Sequence, residues 1–276
     1  MKWYPAPGKL NLFLHVLGRR ETGEHAGYHE LQTVYRLIDR ADRVGIALRD
    51  DGAIRFSGAY GEENLCLRAA RLLKAETGSA GGADLELEKH LPVGGGLGGG
   101  SSDAATVLLV LNRAWGLHLS RTDLTRIGAR LGADVPFFVH GQNALGEGIG
   151  ERLTPLDLPA AWYLVLVPQV SVSTREIFGL ALTGQSKALK IPPFFSGLGA
   201  NDLQATVVAR YPEVAAHLDW LRKRRPQARM TGSGACVFAE FNSQAEALAL
   251  HHQLPGGMQG FVTRGLDRHP LFDWKE

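Results

Sequence analysis

Leucine or valine occupies every second position from Leu10 to Val16, the period of a strand with one face in a core. The polar, glycine-bearing stretch 18–27 separates it from a second strand-like run over 31–38. Two further short strands are expected over 44–48 and 54–57, with polar turns between them. Helical spacing follows over 65–75, with Asn64 as its N-cap. Leu85-Glu86-Leu87-Glu88 alternates again and leads into a glycine-rich segment, after which 104–115 is apolar and helical in composition. Ser120 caps another expected helix over 120–131, with Asp123 three residues on.

A weaker boundary falls over 153–159, so the expected domains are 1–157 and 158–276. Beyond it come a buried strand over 163–167, a short helix over 174–182 and a Gly-, Pro- and Ser-rich loop over 184–199. Helices over 202–210 and 213–222 are separated at Pro212, which lacks an amide donor. Strands over 228–230, 237–241 and 260–264 and a helix over 244–254 complete the reading. Strands and helices mix without a strict βαβ rhythm, so the fold class is α+β with antiparallel sheets.

Composition adds a class. The chain has 276 residues, 45% of them hydrophobic and 21% charged, the balance of a globular protein with a real core. A formal charge of +2 argues for neither nucleic acid nor membrane as a partner. The basic run Arg222-Lys223-Arg224-Arg225 reads as a solvated helix end. Cys66 and Cys236 sit in apolar settings far apart in sequence, as two reduced thiols of a cytoplasmic protein would. The N-terminal residues lack a secretory pattern, and no stretch approaches the length of a membrane span.

The chemistry concentrates in Pro92-Val93-Gly94-Gly95-Gly96-Leu97-Gly98-Gly99-Gly100-Ser101-Ser102-Asp103. Six of the seven residues from Gly94 to Gly100 are glycine, a choice costly in conformational entropy. It makes sense where backbone must approach a ligand and turn its amides inward, at the start of a helix whose dipole favours an anion. A flexible linker does not usually join a strand to an apolar helix. Gly94, Gly96 and Gly99 also satisfy the dinucleotide pattern GxGxxG, but the strand before them alternates with charge, unlike a central parallel strand. A Walker loop is excluded because no lysine follows the last glycine.

The segment resembles the central motif of the GHMP kinases, the superfamily of galactokinase, homoserine kinase and mevalonate kinase. Ala6-Pro7-Gly8-Lys9-Leu10-Asn11 resembles its first motif, and Met230-Thr231-Gly232-Ser233-Gly234-Ala235-Cys236 its third. Within it, Lys9 with Asn11, Gly27-Tyr28-His29-Glu30-Leu31 and Ala133-Asp134-Val135-Pro136 resemble the diphosphocytidyl-methylerythritol kinases. The chain departs from that pattern at Gly8, where Ala is usual, and before Tyr28, where the segment is longer and Ala26 replaces a common Asp.

The resemblance implies a two-domain GHMP fold, with a ribosomal-S5-domain-2-like N-terminal domain and a ferredoxin-like C-terminal domain. It implies ATP as phosphoryl donor, with Mg²⁺, bound by Pro92, Gly94, Gly95, Gly96, Leu97, Gly98, Gly99, Gly100, Ser101 and Ser102. The acceptor it implies is the 2-hydroxyl of a cytidine-diphosphate-bearing methylerythritol, in the non-mevalonate route to isoprenoids. Asp134, which read alone is an N-cap, becomes the general base, and Lys9 the cation beside it. Tyr28 and Phe178 are expected to sandwich the cytosine, His29 to hydrogen-bond it, and Asn11 and Thr174 to hold substrate polar groups. The metal ligands are left open, with the Ser101 or Ser102 hydroxyl the nearest protein candidate. Other readings are a GHMP kinase for homoserine, a sugar or mevalonate, a nicotinamide dehydrogenase, and a non-catalytic nucleotide-binding protein.

Overall fold

The computed structural model describes residues 1–23, 26–58, 61, 64–180 and 200–274. Two long strands form its spine: β1 (Lys2–Arg19) pairs antiparallel with β2 (His29–Arg49) along nearly their whole length. The separate strands expected over 31–38 and 44–48 are thus one. The polar residues between them do not end the strand: Asp39, Arg40 and Arg43 face solvent, Asp42 is buried, and pairing to β1 continues through Ala41, Asp42 and Arg43 with only local bulges. One of those bulges falls between Pro7 and Lys9, at Gly8.

On the far side of β2 run β3 (Ile54–Ser57) and β4 (Gly82–Glu88), paired with each other in parallel. Asn64 caps α1 (Leu65–Thr77) as expected, accepting from the Cys66 amide at 2.8 Å. The helix after the glycine segment, α2 (Gly99–Ala114), begins before Ser101, with Gly98 at the N-cap at φ 70°. Ser120 caps α3 (Arg121–Ala129), and Pro136 sits in the first turn of α4 (Val135–His140). Two strands escaped the hydrophobic pattern: β5 (Ala144–Gly148), which pairs with β2, and β6 (Arg152–Pro155). Both are short, with Gly146 and Gly148 on one face of β5 and Arg152 and Thr154 on one face of β6, so no apolar alternation announces them.

The second half is built on β7 (Trp162–Leu166), followed by α5 (Thr174–Leu180), α6 (Gln204–Arg210) and α7 (Pro212–Arg222). Then come β8 (Arg229–Met230), β9 (Val237–Phe241), α8 (Gln244–His251) and β10 (Gly260–Leu266). The strand order β10-β7-β9-β8 and the antiparallel pairing make this a βαββαβ unit, the ferredoxin-like arrangement. The end of β10 pairs with β2, so both halves share a continuous sheet. The loop expected over 184–199 and the last two residues of the helix expected over 174–182 lie outside the described residues.

One core lies between the first sheet and α1 to α4, around Leu73, Leu108 and Phe137. A second lies under α5 to α8, around Leu164, Leu218 and Val237. A third, with Leu10, Phe13, Leu97, Tyr163 and Phe238, joins the halves and places the glycine segment against both. Cys66 and Cys236 are buried and unbridged. The basic run ends α7, where Arg225 pairs with Glu246 at 3.3 Å and Arg224 lies over the Trp220 ring. Among the described residues, no helix is long and apolar enough to cross a membrane.

Candidate functional site

Three sequence segments far apart in the chain meet at the glycine loop. The Lys9 amide donates to Leu97 O at 2.9 Å. The Cys236 and Ala235 amides donate to Gly95 O at 3.1 Å and Gly94 O at 3.3 Å. Gly96 has φ +77°, and a Cβ there would stand 2.4 Å from Thr231 O and 3.0 Å from Gly234 O. Only glycine fits a left-handed backbone pressed against another backbone in this way. The loop ends in the N-terminus of the long helix α2, whose unpaired amides and dipole favour a phosphate.

A cleft of about 1220 Å³ opens over the loop. Its walls include Lys9, Asn11, Tyr28, His29, Asp134, Thr174 and Phe178, together with Pro92 and every residue from Gly94 to Ser101. Ser102 does not reach it: its side chain is fully buried in the first turn of α2, with no hydrogen-bond partner. Of the two serines considered for the nucleotide and its metal, Ser101 is therefore the one on the cleft.

The Lys9 side chain is 3% exposed, so its ammonium must be compensated. It donates to Asn11 Oδ1, two positions along the same face of β1, and to Gly96 O at 2.9 Å. Asp134 Oδ2 lies 3.5 Å away. The Asp134 carboxylate does not cap α4: it makes no cap hydrogen bond, and its backbone is already helical at φ −86°, ψ −14°. It is 31% exposed and faces the cleft. Asn11 is held in turn, its side chain donating to Thr33 Oγ1 at 2.8 Å and its amide to Thr231 Oγ1 at 2.9 Å.

The aromatic group is more open. Tyr28 is 57% exposed, and the His29 and Phe178 rings lie 5.4 Å apart at 38°. Burial, helped by the Arg19 charge, lowers the His29 pKa, so the imidazole is neutral at pH 7 and can accept as well as donate. The Thr174 hydroxyl lies 2.7 Å from that of Ser233.

Several cleft residues were not singled out by sequence reasoning. Ser233 sits inside the third motif, so its segment was visible but its individual place was not. Tyr35 and Lys89 look like ordinary strand positions. Lys89 pairs with Asp103 at 2.9 Å and with buried Asp42, tying the residues on either side of the glycine loop together. Burial alone would lower the Lys89 pKa, but the two carboxylates outweigh it and raise it.

Two family models match the chain. The one for the GHMP kinases N terminal domain matches residues 64–142, and the one for GHMP kinases C terminal matches 193–258. A 4-diphosphocytidyl-2-C-methyl-D-erythritol kinase of Thiobacillus denitrificans is 56% identical over 276 residues, covering 98% of both chains. Its namesake from Nitrosospira multiformis is 55% identical, over 99% of this chain and 94% of its own. A crystal structure of 4-(cytidine 5'-diphospho)-2C-methyl-D-erythritol kinase superposes with TM-score 0.83 and 33% identity, over 96% of this chain and all of that one. A mevalonate kinase, at 14% identity and TM-score 0.67 over 97% of this chain and all of that one, shares the fold. With its three glycine-bearing motifs gathered around one cleft and relatives of this likeness along its whole length, the chain belongs to the 4-diphosphocytidyl-2-C-methyl-D-erythritol kinase family of ATP-dependent GHMP kinases.

Proposed function

We propose that the chain transfers the γ-phosphoryl group of ATP to the 2-hydroxyl of 4-diphosphocytidyl-2-C-methyl-D-erythritol, in the cytoplasm, as a step toward isoprenoid precursors. The observation that carries this reading is the Lys9–Asp134 pair, 3.5 Å apart in the cleft that the glycine loop lines. The relatives at 55–56% identity bear the name of this activity.

In this reading the loop from Pro92 to Ser101 holds the triphosphate through its backbone and the start of α2. Asp134 accepts the proton of the attacking hydroxyl. Lys9 stabilises the developing alkoxide, and positioning with charge neutralisation supplies most of the rate. Tyr28 and Phe178 stack on the cytosine, His29 reads its polar edge, and Asn11 and Thr174 hold the rest of the substrate. The division into residues 1–157 and 158–276 goes with this reading, since β7 opens a separate βαββαβ unit at Trp162.

Among the described residues no group of three or more His, Cys, Asp or Glu could cage a metal. Mg²⁺ would arrive on the nucleotide and keep most of its waters, with the Ser101 hydroxyl, which lines the cleft, as the nearest protein candidate. When bound, the ion would neutralise phosphate charge.

The direct test is a coupled assay offering the cytidylated methylerythritol, homoserine, galactose and mevalonate, with product mass to locate one added phosphoryl group. Turnover with the first alone is expected; turnover with another acceptor alone would reassign the substrate. Asp134→Asn should lower kcat by about 10²–10⁴-fold while leaving ATP affinity nearly unchanged.

A further inference from the structure

We infer that Tyr35 is a positioning residue that fixes the plane of the Asp134 carboxylate, an inference resting on the reading of Asp134 as the base. The two carboxylate oxygens face different partners. Oδ2 faces Lys9 at 3.5 Å, and Oδ1 accepts from the Tyr35 hydroxyl at 3.4 Å. A carboxylate addressed at both oxygens by groups from two strands cannot turn freely about its last bond. The 3.4 Å separation is long for an O–H···O bond. Contacts of catalytic groups commonly tighten when substrate fills the site.

The ring itself sits in a prepared slot. It stacks on Phe137 with centroids 4.6 Å apart and planes at 24°. Phe137 belongs to α4, the helix that Asp134 precedes, so the same ring braces both the carboxylate and the helix behind it. On the other side the chain is stripped of side chains. A Cβ at Gly146 would come within 2.5 Å of Tyr35 Cε2, and one at Gly150 within 2.5 Å of the hydroxyl oxygen. The Lys9 ammonium lies 5.8 Å from the ring centroid, so the ring's negative face also receives that cation. Tyr35 is 3% exposed. Burial, with the nearby Asp134 charge and the hydrogen bond to it, raises the phenol pKa well above its ordinary value. The hydroxyl therefore remains a donor throughout the working pH range.

Tyr35→Phe keeps the stacked ring and removes only the donor. The measurement is kcat and both KM values for the native enzyme, Tyr35→Phe, Asp134→Asn and the double variant, with thermal midpoints to verify folding. Tyr35→Phe is expected to lower kcat about 10-fold, the loss of one hydrogen bond to a charged group, with both KM values within about twofold. In the Asp134→Asn background the same change should cost nothing further, because a residue acting through the carboxylate has nothing left to position. An equal loss in both backgrounds, or no loss in the native one, overturns the inference while leaving Asp134 as the base. Unchanged turnover in Asp134→Asn alone overturns the base reading and this inference with it.

Discussion

The glycine loop and the group of Tyr28, His29 and Phe178 line the same cleft but are made of different material. The loop offers backbone, held by main-chain bonds to β1 and to the turn between β8 and β9, in a space where a single Cβ would meet carbonyl oxygens. The aromatic group offers side chains, one of them more than half exposed. Where backbone presses on backbone, as at Gly96, the site has no intermediate versions, since an added Cβ displaces the segment that makes it. A site built from side chains can lose one member and keep the rest. The difference teaches that substitutions should act as a threshold at the loop and as a graded series at the aromatic group.

The largest effect belongs to Gly96→Ala. A left-handed φ costs an L-residue about 1–2 kcal/mol, and the 2.4 Å approach to Thr231 O adds a clash that no rotamer relieves. ATP affinity, read by titration calorimetry, should fall by about 100-fold or more, with a lowered thermal midpoint. Affinity within twofold of native would break the contrast.

Lys9→Met comes next and probes where the two materials meet, since this ammonium holds both Gly96 O and Asn11 Oδ1. Turnover is expected to fall about 10²–10³-fold, the range for losing one preorganised donor. Stability should fall as well, because Asn11 Oδ1 is left buried without its cation. Steady-state kinetics beside a urea titration separates the two, and native turnover in a destabilised variant would confine Lys9 to a structural role.

The same distinction in material explains what the sequence revealed. The loop was legible because backbone chemistry forces residue type: six glycines in seven positions have few other uses. The elements of the βαββαβ half were legible as short strand and helix runs broken at Pro212, and their ferredoxin-like assembly only through the resemblance. Asp134 was not legible on physical grounds, since Asp before Val-Pro is a sound helix cap. Only likeness to a kinase family turned it toward the cleft, and the absent cap bond agrees. Tyr35 lay hidden because a tyrosine in a strand has a dozen ordinary uses. β5 was missed because a partner distant in sequence, β2, and not local alternation, holds it in the sheet, and β6 because it is only four residues long and pairs with β5 alone.

Phe178→Ala tests the graded side. Removing one aromatic partner of a stacked base costs about 1–3 kcal/mol, so the KM for the cytidylated substrate should rise about 5–150-fold. The KM for ATP and kcat should change little. A comparable loss of ATP affinity would mean the two regions are coupled more tightly than their construction implies.

The smallest effect concerns the neck of the loop, where Lys89 precedes it and Asp103 follows. Asp103 is buried, takes one hydrogen bond from Lys89 at 2.9 Å and leaves Oδ1 without a partner. Burial pushes its carboxyl up to about 7 against the pull of Lys89, and the neighbouring Asp42 adds to the push. In the unfolded chain the same group titrates near ~4. Between those values the folded state holds a proton that the unfolded state has released, so raising the pH costs stability, and the loss is complete above about 7. Asp103→Asn removes that titration while leaving Lys89 its bond to Asp42. The variant's thermal midpoint should therefore gain on the native one as pH rises from about 5 to 8, by roughly 2–4 °C for each kcal/mol. The KM for the cytidylated substrate should not move, since Asp103 touches only the loop's side of the cleft. A native protein that instead gains stability over this range would mean that attraction to Lys89 outweighs burial. The neck would then be a fully charged clasp, and the loop would be anchored by charge as well as by backbone.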